Sequence, residues 1–188
     1  MQDVYEYCPY FENDKFSLRL ISTEDADDLL KVYSDPAAVP FFNSDNCHGD
    51  DFYYKTLERM KQAVDFWIFS YSERYFVRWT IIDKKTREAV GTIELFHREA
   101  DEYFYECGLL RLDLRSDYET AAHIKNIISL IKESTFDLFY CKIIATKAVP
   151  EATERIKALH ELGFAPSEKM IVGGDGTRYG HYYILENK

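Results

Sequence analysis

The sequence is short of chain-breaking residues, with 8 Gly and 5 Pro among 188 residues. No Pro/Gly/Ser-rich stretch divides it, and it has no internal repeat or low-complexity tract. The length therefore reads as one domain with its own core. It also lacks any apolar run near the roughly 20 residues that a membrane helix needs. From Met1 to Asp14 acids stand where a signal peptide requires a basic and then an apolar stretch. These absences predict a soluble, cytoplasmic protein with no membrane partner.

Cysteine is sparse as well. Cys8, Cys47, Cys107 and Cys141 stand far apart, and only His48 beside Cys47 makes a His–Cys neighbour. A zinc site needs two close ligand pairs, so no metal is expected and the thiols read as reduced structural groups. Positive charge is short too: 23 Lys and Arg against 33 Asp and Glu leave a net charge of −10. That field repels nucleic acid and favours a cationic partner, a small amine or a basic peptide.

Aromatic residues are plentiful, with 15 Tyr, 13 Phe and 2 Trp. They give the chain ample material to bury, which excludes disorder. Residues 1–14 read as an aromatic N-terminal extension and 15–188 as the domain. Tyr5, Tyr7, Tyr10, Phe11 and the Phe41–Phe42 pair are open to packing on the sheet, an acceptor pocket or a homodimer contact.

Phe16, Leu18 and Leu20 alternate with polar neighbours, as in a strand. Ser22 to Asp25 then suits a helix start, and Ala26, Leu29, Leu30 and Tyr33 mark its face up to Asp35-Pro36. A second helix is predicted over 50–67. Strand signals follow at 75–82 and 89–96, joined by a polar turn, and a third strand at about 103–114. A helix over 119–136 buries Ile124, Ile127, Ile128 and Ile131. A strand at 142–148 precedes a helix opened by Pro150 and closed by Gly163. A final hairpin turns at Gly173-Gly-Asp-Gly176, which lacks the following helix of a nucleotide loop, and returns through 181–185. The order β-α-α-β-β-β-α-β-α-β-β predicts an α/β fold: a mixed, mostly antiparallel sheet flanked by helices.

Several stretches resemble one family. Leu18 to Phe42 is similar to a first strand and helix, and Trp79 to Phe96 to a second and third strand containing Gly91-Thr92-Ile93. Glu106-Cys-Gly108 and Leu162-Gly163-Phe164 complete the set. In this order they resemble the GNAT superfamily of acyl-CoA N-acyltransferases, above all the branch that acetylates ribosomal-protein N-termini. The resemblance implies a single-domain GNAT fold whose fourth and fifth strands splay to hold the pantetheine arm of acetyl-CoA. It implies cofactor contacts from strand backbone at Leu112 and Leu114. The pyrophosphate would rest on the loop Arg115, Ser116, Asp117, Tyr118, Glu119 and Thr120, at the next helix's N-terminus.

That loop departs from the family's pattern. Tyr118 and Thr120 stand where small residues belong, and no Gly occurs between Gly108 and Gly163. A side chain occupies space a phosphate needs for close backbone approach. Asp117 and Glu119 add repulsion, and Ser116-x-x-Glu119 has capping-box spacing. The expectation is a phosphate site filled in by the chain itself. Arg115 is open to a CoA phosphate or to Asp113, Asp117 or Glu119. His123 and Lys125 could draw a phosphate or sit on a solvated face. Ala152 and Leu159 replace the Asn and Tyr that relatives often carry in the last helix.

Glu106 is the first candidate general base, its pKa expected to rise through half-burial near Tyr103 and Tyr105; a plain solvated strand residue is the alternative. Glu94 is the second. Two functions follow: acetyl transfer from acetyl-CoA to a primary amine by direct attack, on a small molecule or a protein N-terminus, or a non-catalytic GNAT-fold binding module that has lost acetyl-CoA.

Overall fold

The computed structural model describes residues 3–100 and 102–187. Strands β1 (Phe11–Glu12) and β2 (Phe16–Leu20) open it, followed by helices α1 (Ala26–Tyr33) and α2 (Leu57–Ser72). Strands β3 (Val77–Asp83), β4 (Ala89–Arg98) and β5 (Cys107–Leu114) come next, then α3 (Ala121–Ile128) and α4 (Lys132–Leu138). The chain continues through β6 (Ile143–Lys147), α5 (Thr153–Glu161), β7 (Ala165–Pro166), β8 (Ile171–Val172), β9 (Arg178–Tyr179) and β10 (Tyr182–Glu186).

The main sheet runs β1-β2-β3-β4-β5-β6-β10-β7, with β8 and β9 as a separate ribbon. Neighbours are antiparallel except β5 and β6, which run parallel. This is the mixed, mostly antiparallel α/β fold expected. Gly91 is required at the sheet's centre: a Cβ there would lie 2.2 Å from the Asp113 carbonyl oxygen. Gly163, at φ +90°, takes the left-handed position after α5, and Phe164 N–H closes the turn on Leu159 O at 2.9 Å.

Strand alternation divides the centre of the sheet into two unlike faces. Val77, Trp79, Ile81, Ile93, Leu95, Leu110, Leu112 and Leu114 join Ile124, Ile127, Ile128 and Leu159 in the main apolar core under α3 and α5. On the other face α1 and α2 pack together through Leu29, Val32, Tyr33, Met60, Val64 and Trp67. The N-terminal segment is held down too: Val4 is buried in the main core, and Trp79 donates its indole N–H to Pro9 O at 2.9 Å.

Several boundaries differ from expectation for local reasons. Asp50 and Asp51 accept the N–H groups of Phe52 and Tyr53 at 2.8 and 2.9 Å. Such turns compete with helix, so α2 begins instead after Thr56, whose hydroxyl caps Arg59 N–H at 3.2 Å. The predicted 119–136 helix breaks in two, because tight bonds from Leu130 to Ile127 and Ile131 to Ile128 end α3. Residues 103–106 form a turn ahead of β5, not strand. Pro150 lies in the turn before α5 rather than at its first position. The glycine turn at 173–176 joins β8 to β9, while β10 returns to the main sheet beside β6.

Candidate functional site

The parallel pair β5/β6 is in register from Cys107↔Ile143 to Leu110↔Thr146 and no further. Beyond that point Arg111 to Leu114 have no β6 partner and the strands part into a V. Arg155 fills it from α5. Its Nη1 donates to Leu112 O at 2.9 Å and to Phe41 O at 3.0 Å. Its Nε and Nη2 donate to the two carboxylate oxygens of Glu119, each at 2.7 Å. Arg155 is only 2% exposed, so this bidentate pair is sealed in the protein.

The loop at the head of the V is equally closed. Ser116 N–H goes to the Asp35 carboxylate at 2.9 Å, and Ala121 N–H goes to the Glu154 carboxylate at 2.8 Å. Tyr118, Glu119 and Thr120 N–H groups turn back onto Arg115, Ser116 and Tyr118 carbonyls in a short 3₁₀ turn over Ser116–Tyr118. The Thr120 hydroxyl caps His123 N–H at 3.3 Å. Carboxylates of the chain thus hold donors that an anionic ligand would need.

Tyr118 is buried where the family's pattern has a small residue, and its hydroxyl donates to Asp83 at 2.7 Å. Arg115 pairs with Asp117, Nε to Oδ1 at 2.7 Å, and reaches Glu88 at 3.6 Å. His123 turns its ring toward Phe16 and Tyr118, and Lys125 pairs with Glu161 at 2.9 Å. The capping box expected from Ser116 and Glu119 does not form. Thr120 is the cap, and Glu119 is drawn away to Arg155. Pantetheine and pyrophosphate do not fit the cleft as these side chains hold it.

Glu106 lies outside the V, in the turn before β5, with φ 49°. Its carboxylate pairs with Lys142. Hydrogen bonding to that ammonium holds it below the usual carboxylate range, the reverse of the upward shift expected from Tyr103 and Tyr105.

A second constellation lies on the polar face of the central strands. Register places Arg78, Glu94 and Arg111 directly opposite one another across β3, β4 and β5, and Thr80, Thr92 and Asp113 in the next row. All six are buried. Glu94 bonds Arg78 through one oxygen and Arg111 through the other, the latter at 2.8 Å. Burial pushes its carboxyl up, but the two guanidiniums outweigh this and hold it below the usual range. It is therefore ionised with both oxygens occupied, which suits a structural anion better than a base. Asp113 accepts from Tyr33 Oη at 2.8 Å and Arg78 at 3.3 Å, and burial dominates to push its carboxyl up. Sequence reasoning missed these rows, although the alternation in Val77-Arg-Trp-Thr-Ile81 and Leu110-Arg-Leu-Asp-Leu114 carries the signal.

The Arg78–Glu94–Arg111 row floors a cavity of about 260 Å³ between the sheet, α2 and the loop 43–54. Asn46, His48 and Phe52 in that loop all have left-handed backbones, at φ 57°, 53° and 59°. Asp45 ties the loop down. Its carboxylate meets Lys147 Nζ at 2.6 Å and Tyr182 Oη at 2.9 Å, and its carbonyl accepts from Arg111 at 2.8 Å. Cys47 also lines the cavity, and burial pushes its thiol up, away from a reactive thiolate. Among the described residues, no cluster of three or more His, Cys, Asp or Glu side chains is placed to hold a metal ion, and no helix is long and apolar enough to cross a membrane.

A mixed sheet whose single parallel pair opens into a V ahead of α3 is the architecture of the acyl-CoA N-acyltransferases. The chain belongs to the acetyltransferase (GNAT) domain family, whose model matches residues 15–165. A ribosomal-protein-S5-alanine acetyltransferase from Vibrio fischeri has a similar structure, with TM-score 0.69 and 17% identity over 96% of this chain and 97% of that one. A GNAT-family acetyltransferase from Bacillus anthracis gives 0.68 and 14% over 95% and 98%. The ribosomal L7/L12 alpha-N-protein acetyltransferase RimL, solved with coenzyme A, gives 0.69 and 11% over 95% and 98%. At these identities the likeness is one of fold. No curated protein matches the chain by sequence.

Proposed function

We propose that this GNAT-family chain is a cytoplasmic ligand-binding protein whose cofactor cleft is closed by its own side chains. One observation carries the reading: Arg155, paired with Glu119 and bonded to Leu112 O, lies in the opening between β5 and β6. Opening that V leaves a buried carboxylate and carbonyls without partners, a cost of several kcal/mol. The loop above it offers a pyrophosphate a further obstacle, in that the Ser116 and Ala121 N–H groups are already held by the Asp35 and Glu154 carboxylates.

A second reading, acetyl transfer from acetyl-CoA to a primary amine, is favoured by the family itself and by the retained V. It needs Arg155 to swing out, and it would make Leu112, Leu114 and the loop 115–120 the cofactor contacts, with Glu106 as base. Calorimetric titration with acetyl-CoA at moderate salt separates the two. The first reading expects no heat of binding up to about 1 mM cofactor; binding near 1 μM would overturn it in favour of the second.

A further inference from the structure

A groove of about 540 Å³ opens at the end of the sheet away from the V. Glu106 on its wall precedes Arg111, where the V begins, by about 16 Å of extended chain. His97, near the end of β4, also lines the groove, and its ring is fixed there by Phe139 O, 2.6 Å from Nδ1. A carbonyl only accepts, so the neutral ring carries its proton on Nδ1 and presents Nε2 as a bare acceptor. Glu99 Oε1 stands 3.9 Å from that nitrogen. This is too long for a direct bond, and the neutral ring puts no proton between the two acceptors. Both groups reach solvent, with the Glu99 side chain 79% exposed and that of His97 29%. A ligand nitrogen with two or more N–H groups spans the gap, bonding to each at about 2.9 Å.

The rest of the wall favours the same sign of charge. Asp3 and Glu106 line the groove with Glu99, against one guanidinium, Arg74. Arg74 is already paired, with Asp3 at 3.0 Å and Glu6 at 3.4 Å, and Glu106 pairs with Lys142. A carboxylate has about four lone-pair sites, so these contacts leave acceptor positions open on all three acids. Apolar surface comes from Val4, Leu138 and Phe139, and from the rings of Tyr5 and Tyr140, the latter 64% exposed. Among the described residues no Lys or Arg stands over the Tyr5, Phe139 or Tyr140 ring. The aromatic cavity under the loop 43–54 is different: there the Arg78 guanidinium lies 4.0 Å from the Trp67 centroid and that of Arg59 4.3 Å from Tyr54. The groove keeps a ring face for a cation where the cavity has spent two.

We infer that this groove binds an organic primary amine in its ammonium form, with N–H bonds to His97 Nε2 and Glu99 and the apolar body against Tyr140. The volume lies within the range of ordinary small-molecule sites. The net charge of −10 acts in the same direction, since it draws cations to the surface. The inference deepens the reading of a binding protein and rests on it, in that the amine is held and not acetylated.

Phenethylamine and 3-phenylpropionate, alike in skeleton and opposite in charge, are the probes. Each is titrated into the whole 15N-labelled protein at about pH 8, where imidazoles are neutral and alkylamines charged. Phenethylamine is expected to bind at least about tenfold more tightly, and to shift the His97 Nε2 signal, identified through His97→Gln. Glu99→Gln should weaken it about tenfold and Tyr140→Ala about threefold; both side chains are exposed, so the fold does not depend on them. Equal or tighter binding of phenylpropionate overturns the inference, as does no amine binding at about 10 mM. Amine binding that leaves the Nε2 signal unmoved, or that Glu99→Gln does not weaken, overturns it too. N-acetyl-lysine methylamide presents the same ammonium on a peptide: binding tighter than phenethylamine supports a lysine side chain as the source, and weaker binding a free amine. The acetyl-CoA titration runs alongside. Cofactor binding there would defeat the reading of a closed cleft while leaving the amine result to stand or fall by itself.

Discussion

Arg155 and Glu119 meet through two parallel hydrogen bonds of 2.7 Å, Nε to Oε1 and Nη2 to Oε2, in the gap where β5 and β6 separate. One partner comes from α5 and the other from the turn ahead of α3, so the pair bolts the two helices across the opening. The guanidinium also satisfies the carbonyls of Leu112 and Phe41. A charged pair buried this deeply holds only while both members are present.

Arg155→Ala therefore strands Glu119, which is 7% exposed, and is expected to cost about 3–5 kcal/mol in urea unfolding. Arg155→Met combined with Glu119→Leu removes both charges at similar volume and should recover most of that loss. A double variant no more stable than Arg155→Ala would show that the carbonyl contacts, not the ion pair, hold the gap.

Clearing the cleft should change what it accepts. Arg155→Ser with Glu119→Gly removes the plug and returns a glycine to the loop. Acetyl-CoA affinity should then rise about tenfold or more over the unaltered chain, measured by calorimetry. If a folded variant gains nothing, the closure is not what excludes the cofactor.

Gly91→Ala should be among the most damaging single methyl additions. The new Cβ would sit 2.2 Å from the Asp113 carbonyl oxygen and 3.1 Å from Leu114 Cα, backbone atoms that cannot give way as the nearby Leu114 side chain can. A loss of about 3 kcal/mol or more is expected in urea unfolding.

Acid should loosen the loop 115–120 through Asp35 and Asp83. Burial raises both carboxyls, but Ser116 hydrogen bonds at Asp35 and the Tyr118 hydroxyl at Asp83 outweigh it, leaving both below the usual range. A carboxyl lowered on folding stabilises above its unfolded pKa of about 3.9, and that stability drains as pH falls through the folded value. The urea midpoint should thus drop as pH falls from about 5 to about 2, and drop less in Asp35→Asn/Asp83→Asn. Equal drops would place the acid-sensitive groups elsewhere.

Much of this fold is written in local pattern. The β3–β4 hairpin follows from β-branched residues either side of a polar turn, and the end of α5 follows from Gly163. The filled loop is legible as well, because a phosphate cradle needs small residues and Tyr118 is large. Other features depend on partners far away in the chain. Glu119 has capping spacing with Ser116, but Arg155, 36 residues on, offers two charge-assisted bonds and wins it. Glu106 lies beside Tyr103 and Tyr105, but Lys142 sets its charge. The polar rows lie between: their alternation shows in each strand alone, while only the register reveals that Arg78, Glu94 and Arg111 meet.

Asp45 touches Arg111, Lys147 and Tyr182, residues of three different strands. Synthesis proceeds from the N-terminus, so Asp45 leaves the ribosome long before Tyr182, which follows it by 137 positions. The roof over the aromatic cavity can be fully fastened only once that last strand has joined the sheet. A chain clipped before Tyr182 would keep every cavity-lining residue and still lack one of the roof's fastenings.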